Sequence, residues 1–256
     1  MATIQYTFLG QVSFLFECDG VRWVIDPYIT DYVKDLYGDK FARTFPFEGE
    51  RVSLENLDYC LITHAHEDHC DPLSIGILLE KNPGMKIVCD AKSAEIIAQK
   101  WPDMVVTVPK VGTVLEWSDQ VKITTVPSAH TELVINDGIS EFNGYLMQLG
   151  ETTLYHPGDT IPHRTIEEYL PAGIDVAFMP VNERNFFRDE MGIIGNMTVR
   201  EAFQWSEELG IKTVIPTHWD MFAMNSTDPE EIKIVAAAYK KSALQMPERF
   251  IKTKLI

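Results

Sequence analysis

The stretch His64-Ala65-His66-Glu67-Asp68-His69 constrains this chain more than any other part of it. It follows directly on LDYCLIT, residues 57–63, an apolar run of the length and composition of a buried strand. Side chains two apart in an extended strand point the same way, so His64 and His66 are aimed at one spot. Asp68 and His69 fall on the turn that follows and address a second spot beside it. Imidazole is the commonest metal ligand among side chains, and His-x-His-x-Asp-His therefore reads as the core of a metal centre with two addresses.

Three other segments have the same form. VKITTVPSAH brings His130 just past a strand, TTLYHPGDT brings Asp159 into a Pro-Gly turn past another, and KTVIPTHWD does the same for His218. A single histidine at a strand end is satisfied by local hydrogen bonds as readily as by a metal. Four apolar strands that each deliver a polar group at their ends are a pattern, because strand ends of layered α/β structures are where ligands bind.

The rest of the chain supplies the layers. Ile4, Tyr6 and Phe8 alternate, as do Phe14 and Phe16; Asp19-Gly20 gives a hairpin turn, and VRWVIDP a further strand. Residues 28–56 are mixed, and GDKFARTFPFEGE reads as a loop able to overhang a site. After the histidine cluster, LSIGILLEKN and AKSAEIIAQKW read as helices around a KIVCD strand. MVVTV and a hairpin between Val111 and Val126 follow. NGYLMQLG pairs with TTLYHPGD across Gly150-Glu151, and IDVAFMPV is a strand. Thr198 is placed to cap the helix VREAFQWSEEL, closed by Gly210, and Asp228-Pro229 opens a last helix to about Lys241 before the strand RFIKTKLI. A strand block followed by strand–helix alternation occurs twice. Two sheets packed together with helices outside is the layered solution this favours.

The 256 residues, 45% hydrophobic, suffice for a sizeable core without staples. Cys18, Cys60, Cys70 and Cys89 match neither a disulfide framework nor a zinc finger. MATIQYTFLG has no basic region ahead of a long apolar stretch, and no window approaches a membrane span, so a cytoplasmic protein without membrane attachment is expected. The formal net charge of -16 repels polyphosphate and argues against nucleic acid as a partner.

The ordered set His64-x-His66-x-Asp68-His69, His130, Asp159 and His218 resembles the metallo-β-lactamase superfamily. The resemblance implies one α/β domain over residues 1–256, a four-layer αββα sandwich with the metals at one edge. It implies that His64, His66 and His130 bind one ion, that Asp68, His69 and His218 bind the other, and that Asp159 bridges. Asp26, in VIDP, is similar to an early aspartate of the family that orients a ligand histidine from behind; a turn or cap role is the alternative. YHPGDT, FMPVNERNFFRDEMGIIGNMT and PTHWDMF resemble the UlaG-like branch, known for hydrolysing the lactone of ascorbate-6-phosphate, whose chains are longer.

Two divalent ions are the implied cofactors. The nitrogen and oxygen donors suit manganese, zinc or iron; the branch points to manganese and the superfamily at large to zinc. The implied reaction is attack by a metal-activated hydroxide on a small-molecule ester or lactone, with Asp68 and Asp159 as catalytic residues. The competing functions are a phosphodiesterase or nuclease of the same superfamily and a non-catalytic metal-binding protein; a homo-oligomer is compatible with all three. Arg184, Arg188 and Asn182 lie on one loop and are candidates to hold an anionic group of the substrate, the alternative being that they order the loop with Glu183, Asp189 or Glu190. His156 reads as a packed, hydrogen-bonded histidine before a catalytic one. His163 either reaches substrate or begins a helix, and Tyr28 packs or lines the pocket. Trp219 and Phe222 are expected to wall it.

Overall fold

The computed structural model describes residues 3–255. Strands β1 (Ile4–Gly10), β2 (Ser13–Cys18), β3 (Val21–Ile25), β4 (Tyr59–Leu61), β5 (Lys86–Val88) and β6 (Val106–Thr107) build a first sheet. Strands β7 (Val114–Glu116) and β8 (Val121–Pro127) begin a second. After a separate small hairpin of β9 (Ile135–Asn136) and β10 (Ile139–Ser140), it continues with β11 (Asn143–Leu149), β12 (Thr152–His156), β13 (Val176–Pro180), β14 (Thr213–Thr217) and β15 (Ala243–Leu244). β16 (Lys252–Leu255) returns to pair antiparallel with β1. In each sheet antiparallel hairpins give way to parallel strands: β3 through β6 in the first, β12 through β15 in the second.

Alternation along the strands makes the layers. Ile4, Tyr6, Phe8, Phe14 and Phe16 face Val121, Ile123, Tyr145, Met147 and Phe178 across the sandwich. The intervening residues face outward under helices. Leu9, Leu15 and Val24 meet α2 (Pro72–Lys81) and α3 (Ala91–Lys100), which follow the short α1 (Tyr32–Tyr37). On the other side Val126, Tyr155, Ala177 and Met179 meet α4 (Arg164–Glu167) and, beyond the short α5 (Phe186–Glu190), α6 (Val199–Glu208) and α7 (Pro229–Ala236). Period-two alternation with both faces apolar is what places a sheet between another sheet and a helix layer. The architecture is the four-layer α/β sandwich that the sequence implied.

Local chemistry sets the helix ends. Thr198 and Glu201 form a reciprocal capping box at α6. Asp71 and Asp228 cap α2 and α7, each followed by proline. The last helix stops at Ala236, short of Lys241, because Glu207 Oε1 accepts from the backbone N–H groups of both Lys240 and Lys241, at 2.7 and 2.8 Å, and turns the chain toward β15. Among the described residues no helix is long and apolar enough to cross a membrane. The four cysteines are free and buried.

Candidate metal centre

The four segments that carry the candidate ligands leave the ends of β4, β8, β12 and β14 and converge at one edge of the sandwich. Regular pairing in β4 stops at Leu61, earlier than the apolar run suggests, but Ile62 N–H still donates to Val88 O at 2.9 Å. The sheets are tied together just there. Asn143 N–H donates to Thr63 O at 2.8 Å, and Tyr145 Oη donates to Ile62 O at 2.7 Å. Gly158 makes the approach of the Asp159 turn feasible. Its φ is +64°, and a Cβ in its place would lie 2.7 Å from Thr63 Cβ.

His64, His66 and His130 come together, with His64 Nε2 2.8 Å from His66 Nδ1. Asp68, His69 and His218 form a second group, and His64, His69 and Asp159 a third between them. Asp159 sits at the centre. Its Oδ1 is 3.4 Å from His69 Nε2; its Oδ2 is 3.2 Å from His218 Nε2 and 3.5 Å from His130 Nε2. Asp68 Oδ2 is 3.4 Å from His218 Nε2. Donors on a shared tetrahedral cation with bonds of about 2.1 Å lie about 3.4 Å apart, so these separations fit a metal.

The far side of the imidazoles is held in a definite tautomer. Asp26, fully buried, accepts at Oδ2 from His69 Nδ1 at 2.8 Å and from Thr63 Oγ1 at 2.6 Å, while its Oδ1 accepts from Thr63 N–H at 2.7 Å. Because the Thr63 hydroxyl has given its only hydrogen to Asp26, it accepts from His64 Nδ1 at 3.1 Å. His130 Nδ1 donates to Asn196 Oδ1 at 3.1 Å. Each of these contacts turns an Nε2 toward the common centre. His69 Nε2 and Asp159 Oδ1 are buried there without a hydrogen-bond partner. Orphaned buried groups of this kind cost stability unless something pairs them.

Electrostatics point the same way. Burial raises Asp159, but the charges of His218, His69 and His130 outweigh it and hold its carboxyl well below the usual range. Burial lowers His218, yet Asp159 and Asp68 push it up to about 9. His69 is also raised despite its burial, by Asp159, Asp68 and Asp26. Burial dominates at His130, pulled down to about 4, and at His64. The buried carboxylates thus favour added positive charge at the centre. A divalent ion supplies that charge directly and displaces the protons. The donor set fits divalent metal on geometry, tautomer and charge.

The centre lies at the bottom of a cavity of about 380 Å³. Val33, Phe41, Ile193 and Phe222 contribute apolar wall, and Lys40 is the one lysine or arginine on it among the described residues. The loop over residues 38–50 overhangs the site through Lys40 and Phe41.

The loop arginines are engaged elsewhere. Arg184 pairs with Glu201 and donates to Asn196 O at 2.8 Å; it borders a neighbouring groove beside His130 and is not on the main cavity wall. Arg188 is buried and donates to Glu183 O at 2.9 Å and Ser226 O at 2.8 Å. Asn182 does not face the cavity either. Its Oδ1 accepts from Asn196 Nδ2 and its Nδ2 donates to Asn225 Oδ1, both at 2.9 Å, so it steadies the partner of His130. The polar groups of this loop meet Glu201, Asn225, Ser226 O and the loop's own backbone, and Asn196 accepts from His130.

His156 is buried, accepts from Gly158 N–H at Nδ1 and donates from Nε2 to Val12 O at 3.0 Å. His163 caps α4. Tyr28 is buried against Phe222, its hydroxyl accepting from Val33 N–H. Phe222 walls the cavity, whereas Trp219 packs between the two core layers. Cys70, pushed up to about 12 by burial, belongs to none of the ligand groups.

A family model described as a beta-lactamase superfamily domain matches residues 22–219. The hydrolase of Pyrococcus horikoshii called a UPF0173 metal-dependent hydrolase is 30% identical over 90% of this chain and 91% of its own. This chain belongs to the UPF0173 metal-dependent hydrolases of the metallo-β-lactamase superfamily. The corresponding Pyrococcus furiosus protein is 29% identical over 95% of this chain and 97% of its own. Among solved structures, the metallo hydrolase Igni18 of Ignicoccus hospitalis superposes with a TM-score of 0.74 at 22% identity, covering 99% of both chains. An isothiocyanate hydrolase from Delia radicum gut bacteria gives 0.72 at 17%, covering 97% of this chain and 98% of that one. At such identities the structural likeness is one of fold.

Proposed function

We propose that this metal-dependent hydrolase uses two divalent ions to cleave a small-molecule ester or lactone. The observation that carries the proposal is Asp159, which lies within 3.2–3.5 Å of imidazole nitrogens from both ligand groups at the bottom of one cavity. His64, His66 and His130 would hold one ion, Asp68, His69 and His218 the other, and Asp159 would serve both. When bound, the pair supplies Lewis acidity and brings the pKa of water toward neutrality.

The protein's own groups do the rest. Asp68 is the ligand carboxylate that is not fully enclosed, with 18% of its side chain exposed, and it faces the cavity. It is placed to accept the proton of the attacking water and to pass it to the leaving group. Asp26, Thr63 and Asn196 keep the imidazoles in the tautomer that leaves Nε2 unprotonated. The apolar wall suits a substrate with a carbon skeleton beside the scissile bond. Lys40 is the cation available to a carboxylate or phosphate there, which leaves room for a phosphorylated sugar-acid lactone. The formal charge of -16 disfavours nucleic acid.

The test is turnover by protein loaded with manganese, zinc or iron against lactones, esters, phosphodiesters and RNA, with metal analysis alongside. Two equivalents of metal and lactone or ester turnover that is lost in Asp159→Asn are expected. No bound metal, or turnover of RNA alone, overturns the proposal.

A further inference from the structure

The tip of the hairpin between β1 and β2 reaches into the metal centre through a residue outside every ligand group. Gln11 is fully buried, yet its φ is +57°, a region that residues other than glycine, asparagine, aspartate and histidine seldom occupy. Gly10 before it has a φ of +103°, and a Cβ there would lie 2.5 Å from Phe45 Cζ. The tip is therefore pressed into the interior. His218 N–H donates to Gln11 O at 2.7 Å, and Gln11 N–H donates to Asp220 Oδ1 at 2.9 Å. His218 is itself at a φ of +60°. A left-handed glutamine braced by a residue 207 positions away is the kind of strain that persists where a site requires it.

Turn chemistry alone selects asparagine, aspartate or glycine at such a tip. The glutamine side chain has a different use. Its Nε2 donates to Asp68 Oδ2 at 2.8 Å. The same nitrogen is 3.1 Å from His218 Nδ1 and 3.2 Å from His218 Nε2, so it lies across the face of the ring. Gln11 Oε1 is buried without a hydrogen-bond partner. One carboxamide thus touches Asp68, from the loop after β4, and His218, from the loop after β14. Both belong to the second ligand group, and no ligand particular to the first has a hydrogen bond from Gln11.

We propose that Gln11 is the positioning residue of the Asp68, His69 and His218 site. It holds Asp68 Oδ2 and His218 Nε2 at the 3.4 Å separation a shared cation needs. This rests on the reading of two cation sites given above. Its N–H occupies one lone-pair direction of Asp68 Oδ2 and so fixes which direction is left for the ion.

The experiment uses protein loaded with Co(II) and titrated with chelators of graded strength, following release of each equivalent by absorbance. Gln11→Gly keeps the positive φ and both backbone bonds while deleting the carboxamide. Its second site should lose 10- to 100-fold in affinity, the range typical of groups that orient ligands, while the His64, His66 and His130 site stays within about twofold. Repeating the titration in a His66→Ala background identifies the affected site. Should the glycine variant fail to fold, Gln11→Asn tolerates the same φ with an amide one methylene short, and the same loss is expected. Wild-type affinities at both sites, or equal weakening of both, would overturn the assignment. Fewer than two equivalents in the unsubstituted protein would instead sink the two-cation reading, and the role of Gln11 with it.

Discussion

Replacing Asp26 by asparagine probes the least visible part of the centre. The carboxylate has three donors around it: Thr63 N–H at Oδ1, and Thr63 Oγ1 and His69 Nδ1 at Oδ2. An amide of the same shape offers one oxygen. If that oxygen stays on Thr63 N–H, the new NH2 faces His69 Nδ1. His69 must then accept at Nδ1 and carry its proton on Nε2, the atom that would face the metal. The loss should be about 10- to 100-fold in affinity of the site containing His69, which corresponds to roughly 1.4–2.7 kcal/mol. The fold should lose less. Charge-assisted hydrogen bonds contribute about 1.5–3 kcal/mol and neutral ones about 1, so a destabilisation of around 1–2 kcal/mol is expected. Chelator competition on loaded protein measures the first quantity and urea unfolding of stripped protein the second. The nitrogen chemical shifts of His69 report the tautomer. Unchanged affinity, with His69 still protonated at Nδ1, would refute the reasoning.

Arg188→Met should destabilise by about 2 kcal/mol, because two part-buried carbonyls, Glu183 O and Ser226 O, lose charged donors. It should change kcat/KM for neutral and anionic esters by the same factor, and a selective loss with the anionic ester would return the guanidinium to the substrate. Lys40→Ala should instead reduce turnover of an anionic ester selectively, by about tenfold, since Lys40 is on the cavity wall; equal effects on both esters would refute that. Gly158→Ala should lower the melting temperature and loosen metal binding together, because a Cβ 2.7 Å from Thr63 Cβ displaces the residue that holds His64; either effect without the other would separate the turn from the site. Burial raises Glu201, but hydrogen bonds from Thr198 and Arg184 outweigh it and leave it lowered, so its contribution is present above the unfolded carboxyl pKa near 4.5 and is lost as pH falls below that value. Glu201→Gln should therefore cost melting temperature at pH 7 and little at pH 3, and an equal cost at both would refute the assignment.

Much of this was legible in the order of residues. Alternation in β1 and β2 determined which side chains share the inward face, because a strand has a period of two whatever it packs against. The double strand-block pattern implied two sheets with helices outside. Thr198 and Asp228-Pro229 marked the starts of α6 and α7 because caps are local hydrogen bonds between neighbours. That the cluster from His64 to His69 and the strand ends carrying His130, Asp159 and His218 bear polar groups was visible for the same reason: a polar residue at a strand end needs only the strand to be recognised.

What the linear order left open depends on groups far apart in it. Glu207 ends the last helix by taking the N–H groups of Lys240 and Lys241, a contact over more than thirty residues. Arg184 and Arg188 carry the charges of a substrate grip, but Glu201, Asn196 O, Glu183 O and Ser226 O claim their donors first. Asn182 became the support of Asn196, and Gln11, silent in a string of letters, lies beside Asp68 and His218. A donor's role is decided by which acceptors burial brings within about 3 Å. Residue types and local spacing determine the elements and the polar groups they carry; only the packing of two sheets decides which of those groups remain free to meet a metal or a substrate.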